Sequence, residues 1–267
     1  MSRLIIVPSP TDEVDLIPYR GGVFPKFRQV FDVHAESPLK HLARDPQEEP
    51  FAFVLVNRSI RAITALSYRW VSIDQSGERR TRTCSSDSYM VDVYRPVAEP
   101  GSRHLITPSG MLDEPLIEHV LGGGGCMGVR VGPRSPRGGI VEMTFEIDLI
   151  LFADGEISGP DPDRHAIELM CRKPAAQFVA RHLRRARDEG RDVKPVLSAL
   201  AEIPCVGRLG KPKGDPRVLW IRHYAQDYLR HMDRKTGGVD WAEGRLRHLE
   251  NRPTIPKFYR RQPSEPA

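Results

Sequence analysis

The chain has 267 residues, 39% of them apolar and 28% charged, with 24 prolines and 22 glycines. That length supports one large or two modest domains and excludes a peptide or a disulfide-held miniature fold, while so many prolines and glycines argue for turns and loops over a plain helical bundle. The net charge of +5 is unevenly placed: residues 1–159 carry 17 Lys+Arg against 21 Asp+Glu, a net −4, and residues 160–267 carry 23 against 14, a net +9. Apolar runs such as Ile147 to Ala153 fall far short of the ~20 residues a membrane span needs. Cys84, Cys126, Cys171 and Cys205 are widely spaced, with no C-x-x-C pair, against a zinc ribbon or a disulfide framework. The start, Met1-Ser-Arg-Leu-Ile-Ile-Val-Pro, meets Pro8 and acidic residues too soon for a secretory leader and reads as cytosolic.

In chain order, Leu4 to Val7 reads as an edge strand stopped by Pro8, and Glu36 to Pro50 as a polar, proline-bounded loop. Phe51 to Asn57 is an apolar, β-branched run ended by the turn signal Asn57-Arg-Ser-Ile-Arg. Residues 62–73 follow as a long strand, with Leu66, Tyr68 and Trp70 on one face and Ile63, Ala65, Val71 and Ile73 on the other. Asp74-Gln-Ser-Gly77 turns the chain, and 79–83, 88–94 and 103–107 are weaker strands, with Pro96 and Pro100 in a loop between the last two. The clearest strand is Ile140 to Phe152. There Val141, Met143, Phe145, Ile147, Leu149 and Leu151 alternate with Glu142, Thr144, Glu146 and Asp148, the period-two pattern of an antiparallel sheet with one buried and one wet face. Ala153-Asp154-Gly155-Glu156 predicts a hairpin with a type I′ turn.

Beyond Gly159-Pro160 the pattern changes to helix. Ile167, Met170, Cys171, Phe178, Val179, Leu183 and Ala186 recur at helical spacing, with Asp163 near the cap, a kink or break expected at Pro174, and Gly190 as the end. Pro195 opens a short helix with Val196, Leu197, Leu200 and Ile203. Gly207 to Gly214 is a basic loop. Asp215-Pro216 caps a helix with Val218, Ile221, Ala225, Tyr228, Leu229 and Met232 inward, closed at Gly237 or Gly238. Asp240-Trp-Ala-Glu243 has capping-box spacing for a last helix through Leu249. The proline- and charge-rich tail after Pro253 reads as extended or disordered.

Few motifs survive as chemistry. Gly123-Gly-Gly125-Cys-Met-Gly128 matches G-x-G-x-x-G, but the following Val129-Arg-Val-Gly-Pro cannot open the helix that would receive a pyrophosphate. Asp154, Glu156, Ser158 and Gly159 fit positions one, three, five and six of a calcium loop, yet His165 stands where a bidentate Glu belongs. Glu142, Glu146 and Asp148 line one strand face without the unlike surroundings that separate a general acid from a base. No H-E-x-x-H is present, and His223 and His231, with Asp227 midway, read as a polar stripe. Neither a G-x-S-x-G nor a nucleophilic-cysteine pattern occurs. These residues call for no metal and no cofactor. Basic residues remain: Arg181, Arg184, Arg185 and Arg187 late in the first helix, Arg222 and Arg230 on the third, and Lys211, Lys213, Arg130, Arg134 and Arg137 in loops, all able to neutralise phosphates.

The order Asn57-x-Ser59-Ile60, the aromatic strand ending at Trp70, and Phe152-Ala-Asp-Gly155 leading to Gly159-Pro160-Asp161 resembles a pattern in uncharacterised bacterial proteins with an immunoglobulin-like β-sandwich N-terminal half. The resemblance covers roughly residues 51–163 and implies architecture alone, with no catalytic role for any of these positions.

The expectation is therefore an α+β chain: an antiparallel immunoglobulin-like β-sandwich over residues 1–158, a basic helical region over 159–253, and a disordered tail over 254–267. The leading functional expectation is a non-catalytic binding or scaffolding protein whose Glu142, Glu146 and Asp148 face receives the arginine-bearing helices, within the chain or across a homodimer. The alternatives are nucleic-acid or polyanion binding through Arg181, Arg184, Arg185, Arg187, Lys211, Lys213, Arg222 and Arg230, and an enzyme whose residues converge only in three dimensions, near the Gly122 to Gly139 loop.

Overall fold

The structure, a computed structural model, describes residues 3–18, 49–89, 96–108, 110–112, 139–205, 214–233, 238–251 and 254–260. The fold is mixed α+β. Its described residues fall into two compact units, one holding those up to Pro160 together with Phe258 to Arg260, the other holding Asp161 to Lys257.

The first unit is built from two sheets. Strands β1 (Arg3–Ile6), β2 (Val14–Pro18), β3 (Phe53–Asn57), β4 (Ile63–Asp74), β5 (Arg79–Asp87), β6 (Arg103–Thr107), β7 (Gly110–Leu112), β8 (Ile140–Phe152), β9 (Glu156–Ser158) and β10 (Tyr259–Arg260) follow in chain order. One sheet runs β10-β9-β8-β4-β5, with β1 also on β8; the other runs β2-β3-β6-β7. Two pairings depart from the all-antiparallel expectation, because β1 runs parallel to β8 and β10 parallel to β9. The tail is thus not wholly disordered: Tyr259 and Arg260 add a strand, held by the Tyr259 N–H donating to Gly155 O at 3.0 Å.

The two sheets share one core. Phe53 and Leu55 from one meet Leu66, Tyr68, Trp70, Phe145 and Ile147 from the other. The Phe53 ring lies 4.3 Å from Phe145 and 5.8 Å from Trp70 between centroids, and Trp70 meets Phe145 edge-on at 5.0 Å, inside the range where aromatic pairs attract beyond their buried area.

Three register shifts between β4 and β8 change which side chains reach that core: one at Val141 leaves Val141 37% exposed and brings Ile140 against the core, and two more follow. Along β8 the alternation holds at Met143, Phe145 and Ile147, then shifts register against β4 at Asp148, so that Ile150 and Phe152 take the core positions and Leu149 and Leu151 face the other way. A third shift at Thr64 turns Ile63 into the core beside Leu66, Tyr68 and Trp70, opposite to the face that strict alternation assigns it. One extra residue in one strand inverts every position beyond it, which a single-strand pattern cannot register.

The β8–β9 hairpin also corrects the predicted turn. Only Gly155 takes positive φ, 94°, and its N–H donates to Phe152 O at 2.9 Å. This is a type I turn followed by a left-handed glycine, the three-residue hairpin, whereas type I′ needs positive φ at both central residues.

The second unit holds α1 (His165–Asp188), α2 (Val193–Ala201), α3 (Pro216–Asp233) and α4 (Gly238–Glu250). Asp163 lies beside the N-cap residue Arg164, and Asp161 supplies the capping carboxylate of α1, accepting the His165 N–H at 2.7 Å and the Ala166 N–H at 3.2 Å. The helix runs unbroken through Pro174, and the carbonyl that loses its donor belongs to the exposed Met170. Its end is a Schellman motif, with Arg191 N–H to Ala186 O at 2.8 Å, Gly190 N–H to Arg187 O at 2.9 Å, and Gly190 at φ 67°. Asp192 and Asp215 cap α2 and α3 through the N–H groups of Lys194 and Arg217. Helix α4 starts at Gly238, two residues before the expected cap, so Asp240 lies inside it and Glu243 is free for another role. Leu219, Trp220 and Tyr224 are buried along α3 beside the expected Ile221, Ala225 and Tyr228.

Gly159 fixes how the end of β9 lies against the bulge. Its φ is 103°, and a Cβ there would sit 2.6 Å from the Asp148 carbonyl oxygen. Gly101 has φ 74° with open space around it. Gly159→Ala is expected to cost about 3 kcal/mol and Gly101→Ala about 1 kcal/mol, read from urea unfolding; equal losses would contradict the close approach at Asp148.

Candidate functional site

The most organised polar constellation is the loop joining β3 to β4 and the groups that hold it. Asn57 is fully buried at the end of β3. Its side-chain amide donates to Arg61 O at 2.9 Å, Ala98 O at 3.1 Å and Glu99 O at 3.2 Å, while its Oδ1 accepts the Ser59 N–H at 3.0 Å. Ser59 Oγ accepts the Arg61 N–H at 3.1 Å. The residues that sequence reading gave only a turn role therefore hold the loop's backbone from inside.

Arg61 anchors the same loop from outside. Its guanidinium reaches Asp154 at 2.9 Å, Glu156 at 2.7 Å and Glu13, and its Cζ lies 4.1 Å over the Phe152 ring. Burial works against the charge on Arg61, yet the hydrogen bonds to Asp154, Glu156 and Glu13 outweigh it and raise its pKa above the ordinary arginine value. Burial would likewise raise Asp154, but the Glu156 N–H, Arg61 and the Tyr259 hydroxyl hold its carboxyl below the usual range. Arg58 adds a pair to Asp15 at 3.0 Å. Between these anchors Ile60 points outward, 94% exposed.

Asp154 and Glu156 thus serve an arginine. Among the described residues no group of three or more His, Cys, Asp or Glu side chains is placed to hold a metal ion.

The residues expected to form an interface take partners on their own sheet. Arg69 lies 2.7 Å from Glu146 and 3.2 Å from Asp148, and Arg3 lies 3.8 Å from Glu142. Asp148 is wholly buried at the bulge instead of lining a wet face.

The helical arginines are largely engaged too. Arg184 meets Glu250 at 2.9 Å and Glu243 at 3.3 Å, Arg187 meets Glu243, and Arg185 meets Glu189 at 2.8 Å. The hydrogen bond from Arg184, despite some burial, brings Glu250 below the ordinary carboxylate range. Arg222 donates to Ala201 O and Cys205 O at the end of α2, and Arg230 to Gln226 O on its own helix. Arg181 is exposed and has no ion pair or hydrogen bond among the described residues. Lys211, Lys213, Arg130, Arg134, Arg137 and the Gly123 to Gly128 motif lie outside the described residues.

His165 is buried at the first position of α1, and its Nε2 has no hydrogen-bond partner among the described residues. Burial pushes its pKa down, against the pull of Asp161 and Asp163 and with the help of Arg172. His223 packs edge-on against Trp220 at 5.1 Å between centroids, and His231 Nδ1 lies 2.8 Å from Asp227 O, so these two histidines take structural contacts on α3.

Sequence reading missed Arg61. Its three carboxylates stand 48, 93 and 95 residues away, and the local signal was only a charge at the mouth of an apolar strand.

Asn57→Ala leaves buried carbonyls without donors and is expected to cost about 3 kcal/mol, visible as a lower melting temperature. Asn57→Asp sets a carboxylate against those carbonyls and should destabilise more at pH 7 than at pH 4, because only the protonated acid can donate; a pH-independent loss would contradict the arrangement.

No family model, no curated protein and no solved structure matches this chain.

Proposed function

We propose that this chain is a non-catalytic binding or scaffolding protein that meets another protein through the tip of the Asn57 to Arg61 loop. The observation that carries the reading is Ile60: a large apolar side chain, 94% exposed, on a backbone held by the buried Asn57 amide and the Arg61 ion pairs. A scattered exposed apolar residue needs no explanation. One presented on a loop already fixed in place does not lose conformational freedom on binding, which is how a small contact area yields useful affinity. The titratable groups around it favour the same reading, since each of Glu13, Asp15, Asp154 and Glu156 is paired with Arg58 or Arg61 and none is left poised as an acid, base or nucleophile.

We also read the two-sheet unit as immunoglobulin-like, supported by Trp70 on a long central strand packed between the sheets against Phe53 and Phe145.

A second reading, polyanion binding by the helical unit, draws support from the exposed, unpaired Arg181 and the net +9 of residues 160–267.

The test is a photo-crosslinking amino acid placed at Ile60 and, as a control, at the exposed Glu202. Loop-tip binding predicts a discrete protein adduct from position 60 only. No adduct at 60 beyond that at 202 would contradict it. Retention of the full chain on heparin at well above physiological salt, lost in Arg181→Glu, would favour the second reading.

A further inference from the structure

Resting on the reading of the Ile60 loop as a binding tip, we infer that its partner is a second copy of this chain, and that the receiving surface is the face of α1 formed by the exposed Met170, Pro174 and Arg181 with the half-buried Lys173 and Gln177. These positions recur at three- and four-residue intervals and share one stripe of the helix. The stripe is unlike an ordinary solvated face. Its first turns expose Met170 (45%) and Pro174, and its later turn carries Arg181, which has no partner among the described residues. Lys173 lies between them and, among the described residues, donates to a neutral hydroxyl, that of Thr254 at 2.7 Å.

The two surfaces match in both apolar and charged parts. Around Ile60 stand four carboxylates, Glu13, Asp15, Asp154 and Glu156, against two guanidiniums, Arg58 and Arg61, which leaves an excess of two negative charges. On α1, Lys173 and Arg181 supply two positive charges that no carboxylate answers among the described residues, while Arg185, the next cation along, is already paired with Glu189. Ile60 meets Met170 and Pro174, and the acidic rim meets Lys173 and Arg181. Such complementarity steers encounter and fixes orientation.

The match joins two different surfaces, so the contact is heterologous. Each copy offers one loop tip and one helix face, and association adds copies head to tail until a ring closes or a filament grows. Glu156 is buried, but Glu13, Asp15, Asp154, Lys173 and Arg181 are at least partly open to water, so the charged half is weakened by salt.

The decisive experiment is sedimentation velocity on the full chain, in about 50 mM and about 0.5 M salt. Wild type is expected to form concentration-dependent oligomers that weaken at the higher salt. Ile60→Asp and Arg181→Glu alter exposed side chains, so circular dichroism should find both folded, and each alone should be monomeric. Mixed one to one they should form a heterodimer that grows no further, because Ile60→Asp keeps an intact helix face and Arg181→Glu an intact loop tip. A wild type that stays monomeric, a single variant that still assembles, or a mixture that gives no complex overturns the inference. An adduct at Ile60 to a different protein with a monomeric wild type would leave the loop-tip reading standing and remove only the second copy as its partner.

Discussion

One guanidinium ties together segments that are remote along the chain. Arg61 draws Glu13 from the N-terminal strands, and Asp154 and Glu156 from the β8–β9 hairpin, onto the root of the β3–β4 loop. Asp154 extends the connection to Tyr259 in the last strand, 3.1 Å away. Such a pairing adds only modestly to stability where it is open to water. Its value here is positional, because three carboxylates from two distant segments can meet one planar donor group in few ways. That constraint acts on the loop together with the buried Asn57 amide, and through Asp154 it reaches β10.

Beneath this lies the core shared by the two sheets, where Phe53 packs against Trp70 and Phe145. The bulge at Asp148 is the point of contact between core and hub. It redirects β8 so that Phe152 comes under Arg61, and it leaves room for Gly159 against its backbone only because Gly159 has no side chain. The helical unit is organised by a different set of charges, Arg184 and Arg187 with Glu243 and Glu250, supported by the buried Leu246 and Leu249.

What the sequence made legible was local. The β4 and β8 strands, the α1, α2 and α3 helices, the hairpin at Gly155 and the stop at Gly190 all rest on periodicity or on residues with special backbone freedom, which neighbours in the chain suffice to reveal. The errors had non-local causes. Strict alternation puts Val141, Leu149, Leu151 and Ile63 on the wrong faces because a bulge is a relation between two strands. The acidic residue near the cap of α1 is legible at Asp163, but the chain reaches α1 through left-handed turns at Asp161 and Arg164, so the carboxylate on the first N–H groups comes from Asp161. The site was the least legible part. Asn57 and Asp154-Gly155 were recognised as turn residues, but nothing along the chain announces that Asn57 reaches Ala98 and Glu99, or that one arginine collects three distant carboxylates. The basic helices misled in the opposite direction: Arg185 and Glu189 could be paired by counting, whereas Arg184 with Glu250 needed the helix packing.

The central claim is that the Asn57 to Arg61 loop is held rigid so that Ile60 is presented. Amide hydrogen exchange at Ser59 and Arg61 measures this most directly, since those N–H groups donate to Asn57 Oδ1 and Ser59 Oγ. The account predicts that both amides exchange slowly in the wild type and at least tenfold faster in Arg61→Gln, with the core amides of β4 unchanged. Exchange at the rate of an unstructured peptide in the wild type would contradict it.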